Sequence, residues 1–217
     1  MKEQECKQCG TCCRKGGPAL HFQDQELVVN GTIQAKHLFT IRKGEPAFDN
    51  VYGELKPADS DIIKIKGDDN SWTCFFLNKT NNLCRIYRNR PVECRALKCW
   101  DTRQIKEIFN EQRLSRERVL SNTQAVLELV KEHEARCSYN RIQYLANAFK
   151  SGNNKNAENE LAEITGYDTA LRQVVTEKGC IDQELTDFLF GRPLSITIAG
   201  FGLKFRKGSL RKQNPHL

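Results

Sequence analysis

The chain has 217 residues, of which 39% are hydrophobic and 28% charged, and its formal net charge is +7. This composition predicts a globular protein with one substantial domain, or one domain with a helical appendage. A membrane span is not expected, because no apolar run approaches the length needed to cross a bilayer. Nucleic acid is not expected as a partner, because the positive charge is not spread over the chain. Six basic residues and no acidic one follow Asp187, so six of the seven net charges belong to a basic tail: Arg192, Lys204, Arg206, Lys207, Arg211 and Lys212.

Ten cysteines are the unusual feature of the composition. The first residues contain no apolar segment of the signal-peptide kind, which indicates a cytoplasmic protein. Disulfides are rare in that compartment, where clustered cysteines more often bind metal or take part in redox chemistry.

Residues 1–100 contain eight of the ten cysteines and most of the strand-like segments. Short runs of β-branched and aromatic residues, separated by Gly, Pro, Asn and Asp, predict strands at 37–41, 47–52, 61–66 and 72–77. The stretch FFLNKTNNLCRIY predicts a hairpin with a polar turn at 79–82. Pro91 is expected in the first turn of a helix that follows.

From residue 101 to about 150, apolar residues recur three or four positions apart, which predicts helices. A polar break at 151–156 precedes two shorter helical patterns that end near Lys178 and Phe190. Segment 194–198 alternates like a strand, and the last residues after it are expected to be mobile. We therefore predict an α+β fold with a cysteine-cluster metal-binding region at 1–100, a helical region packed on it at 101–192, and a terminal strand and basic tail at 193–217.

The first cysteine cluster, CKQCGTCC, contains Cys6, Cys9, Cys12 and Cys13. Its C-x2-C-x2-C step lets a loop wrap successive thiolates around one inorganic centre, as in bacterial ferredoxins. Gly10 allows a tight turn. Neighbouring side chains diverge, so one of Cys12 and Cys13 is expected at this centre while the other serves a second centre or packs inside.

The second set is Cys74, Cys84, Cys94 and Cys99, and it brings the total to eight thiols. Eight suffice for two four-cysteine sites, or for one site with spare thiols. Basic residues flank both sets and would offset the negative charge of metal-bound thiolates, although a solvated basic face is the alternative. Buried structural cysteines and a catalytic thiol are the alternatives to metal binding, and neither explains four cysteines in eight residues.

The other cysteines and the histidines are not assigned to the site. Cys137 lies on the apolar stripe of a predicted helix, which favours a core position, and Cys180 has no partner in sequence. Isolated histidines are more often structural or exposed than metal ligands, and we apply this to His21, His37 and His133.

These cysteine patterns resemble the CxxCxxCC (YkgJ-like) family of cysteine-cluster proteins, which is named for zinc or iron chelation. The resemblance is carried by CKQCGTCCRKGG at 6–17 and by CRIYRNRPVECRALKC at 84–99, with Cys74 upstream. It implies a metal-chelating region over about residues 6–99. Some members are described as iron–sulfur oxidoreductases, and a similar motif occurs in the flagellin lysine methylase. The methylase activity is not carried over, because this chain has no glycine motif that would cradle a nucleotide.

Two function classes follow from the sequence. The first is an iron–sulfur protein that transfers electrons or supports a redox reaction with an unidentified redox or protein partner. The second is a zinc-binding structural or interaction module without catalytic activity, and cysteine spacing alone does not separate iron from zinc. Metal delivery is a third class, and it would require an exposed, labile site. No protease, nucleotide-binding or hydrolase motif is present, so no catalytic residue is assigned. For each of these function classes, the two cysteine sets are expected to lie close together in the fold.

Overall fold

Helices and short antiparallel strand pairs make up this protein, so the predicted α+β class is confirmed. The computed structural model describes residues 6–49, 53–68, 71–152, 156–179, 181–206 and 209–212. Cys180, Lys207 and residues 213–217 of the tail therefore lie outside the described part of the chain.

The strands form three antiparallel pairs. Strand β1 (Leu38–Ile41) pairs with β4 (Ile62–Ile65), so that Leu38 faces Ile65. Strand β2 (Pro46–Asp49) pairs with β3 (Glu54–Pro57), and β5 (Leu203–Arg206) pairs with β6 (Ser209–Lys212).

The first three strand predictions fit β1, β2 and β4, although residues 50–52 lie outside the description. Strand β3 was missed, because its sequence ELKP is polar and three of its four residues are exposed. The prediction of a strand at 72–77 is wrong. That segment pairs through single bridges, such as Gly67 with Cys74, and not through a ladder; Phe76 is buried in the first hydrophobic cluster, whereas Trp72 is exposed.

The predicted hairpin at 75–87 is confirmed as one antiparallel bridge between Leu77 and Cys84. Its turn is closed by a hydrogen bond from the Asn78 amide to the Leu83 carbonyl, at 2.8 Å. Pro91 immediately precedes helix α3, which agrees with its predicted position at a helix start.

Helices dominate the chain after residue 100. The α-helices of the described residues are α1 (Thr11–Arg14), α2 (Gln25–Val29), α3 (Val92–Ala96), α4 (Arg103–Ile108), α5 (Arg116–Val119), α6 (Gln124–Arg136), α7 (Tyr139–Ser151), α8 (Ala157–Glu177), α9 (Thr186–Phe190) and α10 (Leu194–Thr197). Short 3-10 turns add Phe22–Asp24, Ala35–His37, Tyr87–Asn89, Gln183–Leu185 and Ile198–Phe201.

Two predictions for the C-terminal part are wrong. Segment 194–198 is helical and not a strand. Leu194, Thr197 and Ile198 are buried, and their spacing of three and four residues places them on one face of α10 and the 3-10 turn after it. Helix α8, with 21 residues, is not a short helix. The polar break before it is confirmed, because α7 ends at Ser151 and Gly152 adopts a left-handed conformation with φ 74°.

The basic tail is also more ordered than predicted. Residues 203–206 and 209–212 form the β5–β6 hairpin instead of a mobile segment. Leu210 is buried in the hairpin, and its amide donates to the Glu158 carboxylate on α8 at 2.7 Å.

Two hydrophobic clusters fill the interior. The first joins the strand region to α6, α8 and α9, and contains Leu20, Leu38, Ile63, Phe76, Val130 and Phe188. The second joins α7, α8, α10 and β5–β6, and contains Cys137, Ile142, Leu145, Leu161, Leu194 and Leu210. The core position predicted for Cys137 is therefore confirmed.

Among the described residues, none of the helices combines the length and the apolar character needed to cross a lipid bilayer.

Candidate metal centre

The first cysteine cluster lies on a tight turn that leads into α1. Gly10 has φ 72° at the start of this helix, a left-handed conformation that glycine adopts without strain and that confirms the predicted turn. The Arg14 guanidinium donates to the Cys9 carbonyl at 2.9 Å and also to the side chain of Asn82 in the 79–82 turn. This arginine therefore ties the first cluster to the hairpin between Cys74 and Cys84.

The chain leaves the first cluster by crossing β4 at close range. A side chain on Gly17 would approach the Ile65 carbonyl oxygen to 2.3 Å, so only glycine fits there. Beyond it, the Leu20 amide donates to the Ile63 carbonyl at 2.8 Å. These contacts hold the first cluster beside the strand region.

The second cysteine set occupies four separate turns and helices of that region. Cys74 bridges to Gly67, and Cys84 lies across the hairpin from Leu77. Cys94 lies in α3, and Cys99 follows in an exposed turn. Only Cys74 of these four is fully buried, whereas Cys84 and Cys94 are half-buried.

The two sets lie together, as predicted. The Cys74 amide donates to the Cys13 carbonyl at 2.7 Å. Cys6 and Cys94 line one cavity of about 330 Å³. Residues far apart in sequence thus bring both sets to one region.

The pKa values of the thiols show the same proximity. Burial raises the pKa of Cys74 to about 11, and the neighbouring charges of Cys84 and Cys12 add to the increase. Burial also raises the pKa of Cys94, with further contributions from Cys74, Cys84 and Cys12. Without metal, the more buried thiols of the second set are therefore protonated at neutral pH.

The exposed thiols ionise more readily. A hydrogen bond from Cys13 lowers the pKa of Cys12 to about 6, while the same bond and burial raise the pKa of Cys13. The pair therefore holds one negative charge at neutral pH, because a second thiolate beside the first is strongly disfavoured. The Thr11 hydroxyl, 3.2 Å from the Cys9 sulfur, lowers the pKa of Cys9. A thiolate is the form that ligates metal, and Cys9 and Cys12 reach that form at lower pH than the buried thiols of the second set.

Comparison with protein-family models gives a match over residues 5–114 to the CxxCxxCC model, described as "Putative zinc- or iron-chelating domain". The matched segment is half of the chain and includes all eight cysteines of the two sets. The chain belongs to the CxxCxxCC family. A search of curated proteins and a search of solved structures gave no match.

A buried acid fixes the second set within the CxxCxxCC domain. Glu93, next to Cys94, accepts hydrogen bonds from the Ala19 amide at 2.7 Å and the Arg113 guanidinium at 2.9 Å. His21 lies 3.1 Å from the same carboxylate. Burial opposes ionisation of Glu93, but the hydrogen bond from His21 and the charge of Arg113 keep its pKa below the usual value.

Asp24 completes this network. One of its oxygens accepts from the Val92 amide at 2.8 Å and the other from the His21 amide at 3.0 Å. Helix α3, with Cys94, is therefore anchored to the chain that follows the first cluster. Sequence reasoning missed these residues; the signal that could have found them is Glu93, an acid among the basic residues that flank the second set.

The histidines have structural contacts, in line with their predicted roles. The ring of His21 lies between the Glu93 carboxylate and the backbone carbonyl of Glu111. The carbonyl oxygen is 2.6 Å from the Nδ1 atom of His21. His37 stacks on Phe75 with 4.1 Å between ring centroids, and His133 lies 2.8 Å from the Asp168 carboxylate.

In the described residues, one trio alone has metal-ligating atoms that all lie within 4.8 Å of one another: His133, Cys137 and Asp168 in the helical region. This trio does not suit a cation. Both oxygens of Asp168 are engaged, one by His133 and Arg172 and the other by the Leu194 amide. The charge of Arg172 already compensates the carboxylate, so Cys137 remains a core residue.

Proposed function

We propose that the CxxCxxCC domain holds an iron–sulfur cluster, or two metal centres, and exchanges electrons with a redox partner. The proposed ligands are the cysteines of the two sets: Cys6, Cys9, Cys12, Cys13, Cys74, Cys84, Cys94 and Cys99. The family match supports zinc or iron chelation, and the choice of iron–sulfur chemistry is ours.

The spacing of the sulfur atoms carries this choice. A tetrahedral zinc ion with Zn–S bonds of about 2.3 Å brings its sulfurs within about 3.8 Å of one another. In the described part of the chain, no three cysteine sulfurs lie within 4.8 Å of one another. No trio of sulfurs is therefore already placed for one zinc ion, and the C-x2-C-x2-C step of the first cluster, which bacterial ferredoxins use, favours an iron–sulfur cluster. When bound, such a cluster supplies one-electron chemistry.

The exposure of the thiols supports exchange with a partner. Cys6, Cys9, Cys12 and Cys99 are exposed, whereas Cys74 is buried. Leu97 and Trp100, beside the second set, are also exposed apolar side chains. The buried side would hold the centre in place, and the exposed side would allow a partner to approach it.

A zinc-binding structural module is the second candidate. The segments around Cys74 and Cys84 are joined by single bridges without a regular sheet. Metal binding can stabilise such a region, because its binding free energy contributes directly to folding.

The deciding experiment is purification without oxygen, followed by measurement of iron, acid-labile sulfide and zinc. We expect a brown protein with iron and sulfide. A colourless protein with stoichiometric zinc would establish the structural module instead.

The ligand set is tested by C94S, with C137S as the matched control. Cys94 lies in the cysteine region, so C94S should lower metal content and stability, whereas C137S should leave metal content unchanged. Equal loss of metal from C137S would show that the ligand set is drawn wrongly.

A further inference from the structure

A cavity of about 330 Å³ opens beside the cysteines. This volume is near the lower end of that found for small-molecule sites, about 300–1,000 Å³. Cys6 and Cys94 belong to its lining, so a molecule in the cavity would lie against the proposed metal centre.

The cavity lining is cationic. Arg90, Arg95 and Lys98 contribute to it, and no acidic residue is among the lining residues that the structure describes. The nearest acids in sequence are occupied elsewhere, since Glu93 pairs with Arg113 and Asp101 with Arg103. In the described residues none of the three cations forms a salt bridge with a carboxylate, although Asp24 and Asp101 lie near enough to Arg95 and Lys98 for their charges to interact.

Arg90 is held in place with an unused donor. Its guanidinium stacks on the Tyr87 ring, 3.7 Å from the ring centroid, and its carbonyl accepts from Arg95 at 2.9 Å. The Nε atom of Arg90 is buried and has no hydrogen-bond partner among the described residues. A buried N–H group without a partner is costly, so Arg90 keeps hydrogen-bonding capacity that the described residues do not satisfy.

Aromatic side chains complete the cavity. Tyr87 and Trp100 both line it, and Trp100 remains 41% exposed. Arginine binds carboxylate and phosphate groups through paired hydrogen bonds, and aromatic rings contact the flat or apolar part of a ligand.

We infer that this cavity binds a small anion with a carboxylate or phosphate group, and that it is the substrate or effector pocket of the metal centre. The link to the metal centre rests on the proposed function, whereas anion binding does not. The alternative role for the three cations is to balance the charge of metal-bound thiolates alone.

The test is isothermal titration calorimetry of the protein purified without oxygen, with inorganic phosphate and benzoate as probes. We expect saturable binding of at least one probe at constant ionic strength. K98E should weaken it about tenfold or more, as loss of a charged contact of about 1.5 kcal/mol would. K131E, the same charge change on the distant helix α6, should leave it unchanged, and W100A should weaken it more than W72A.

Metal content measured on the same samples separates this inference from the proposed function. K98E that retains metal but loses the anion supports the pocket. Absence of saturable binding in metal-containing protein, or equal weakening of binding by K98E and K131E, would refute the anion pocket. Neither result would count against the metal centre. Protein that binds the anion but contains neither iron nor zinc would instead refute the proposed function.

Discussion

His133 shows how a single buried residue makes stability depend on pH. It is fully buried. The charged groups that face it are Asp168 and Arg172 on α8 and Arg42 directly after β1. Burial lowers its pKa and outweighs the hydrogen bond to Asp168, while the charge of Arg42 lowers the pKa further. The folded protein therefore favours the neutral imidazole, whereas in the unfolded chain the imidazole takes up a proton near its ordinary pKa of about 6.5.

The sign of the effect follows from this difference. The stability due to neutral His133 is fully present above the unfolded pKa and is lost as the pH falls towards the lower folded pKa. We expect the unfolding free energy of the wild type to decrease from pH 7.5 to pH 5.5, and that of H133Q to decrease by a smaller amount. Chemical denaturation at the two pH values measures this. Burial also lowers the pKa of His37, so H37Q should reduce the slope as well; an identical slope for H133Q and the wild type would contradict the prediction.

At the scale of elements, the β5–β6 hairpin converts a basic segment into part of the core. Leu210 lies opposite Phe205 in the strand pair and belongs to the second hydrophobic cluster. L210A should therefore destabilise the protein by about 2–4 kcal/mol, as truncations of buried leucine do. R211A, on the exposed neighbouring position, should change stability by less than about 0.5 kcal/mol. Thermal or chemical unfolding measures both, and equal effects would show that the hairpin is not packed.

The same hairpin illustrates what the sequence could and could not predict. Local patterns identified β1, β4, the turn at 79–82 and the polar break before α8. The tail was misjudged because its charges alternate with Leu203, Phe205 and Leu210, whose burial depends on α7 and α8. The cysteine sets were recognised from spacing, whereas the Glu93 network joins residues that no local pattern connects.

At the scale of the whole molecule, only one of the two hydrophobic clusters of the described residues contacts the proposed cysteine ligands. Cys74 belongs to the first cluster, and Cys13 and Cys84 pack against it. The second cluster contains Cys137 and none of the proposed ligands. Metal bound by the two cysteine sets would therefore stabilise the first cluster directly and the second only through helices that both share, such as α8.

Hydrogen exchange should reveal this difference when a chelator removes the metal. The amides of Cys74, Phe75 and Arg85 bond to carbonyls in the cysteine region, so we expect their exchange to accelerate most. Amides of α7, such as that of Ile142, which bonds to the Ser138 carbonyl, should change least. Exchange measured by mass spectrometry, with and without chelator, tests this. Equal acceleration in both regions would mean that the metal stabilises the molecule as one cooperative unit, which would contradict the prediction, because binding energy at the cysteines would then reach α7 undiminished.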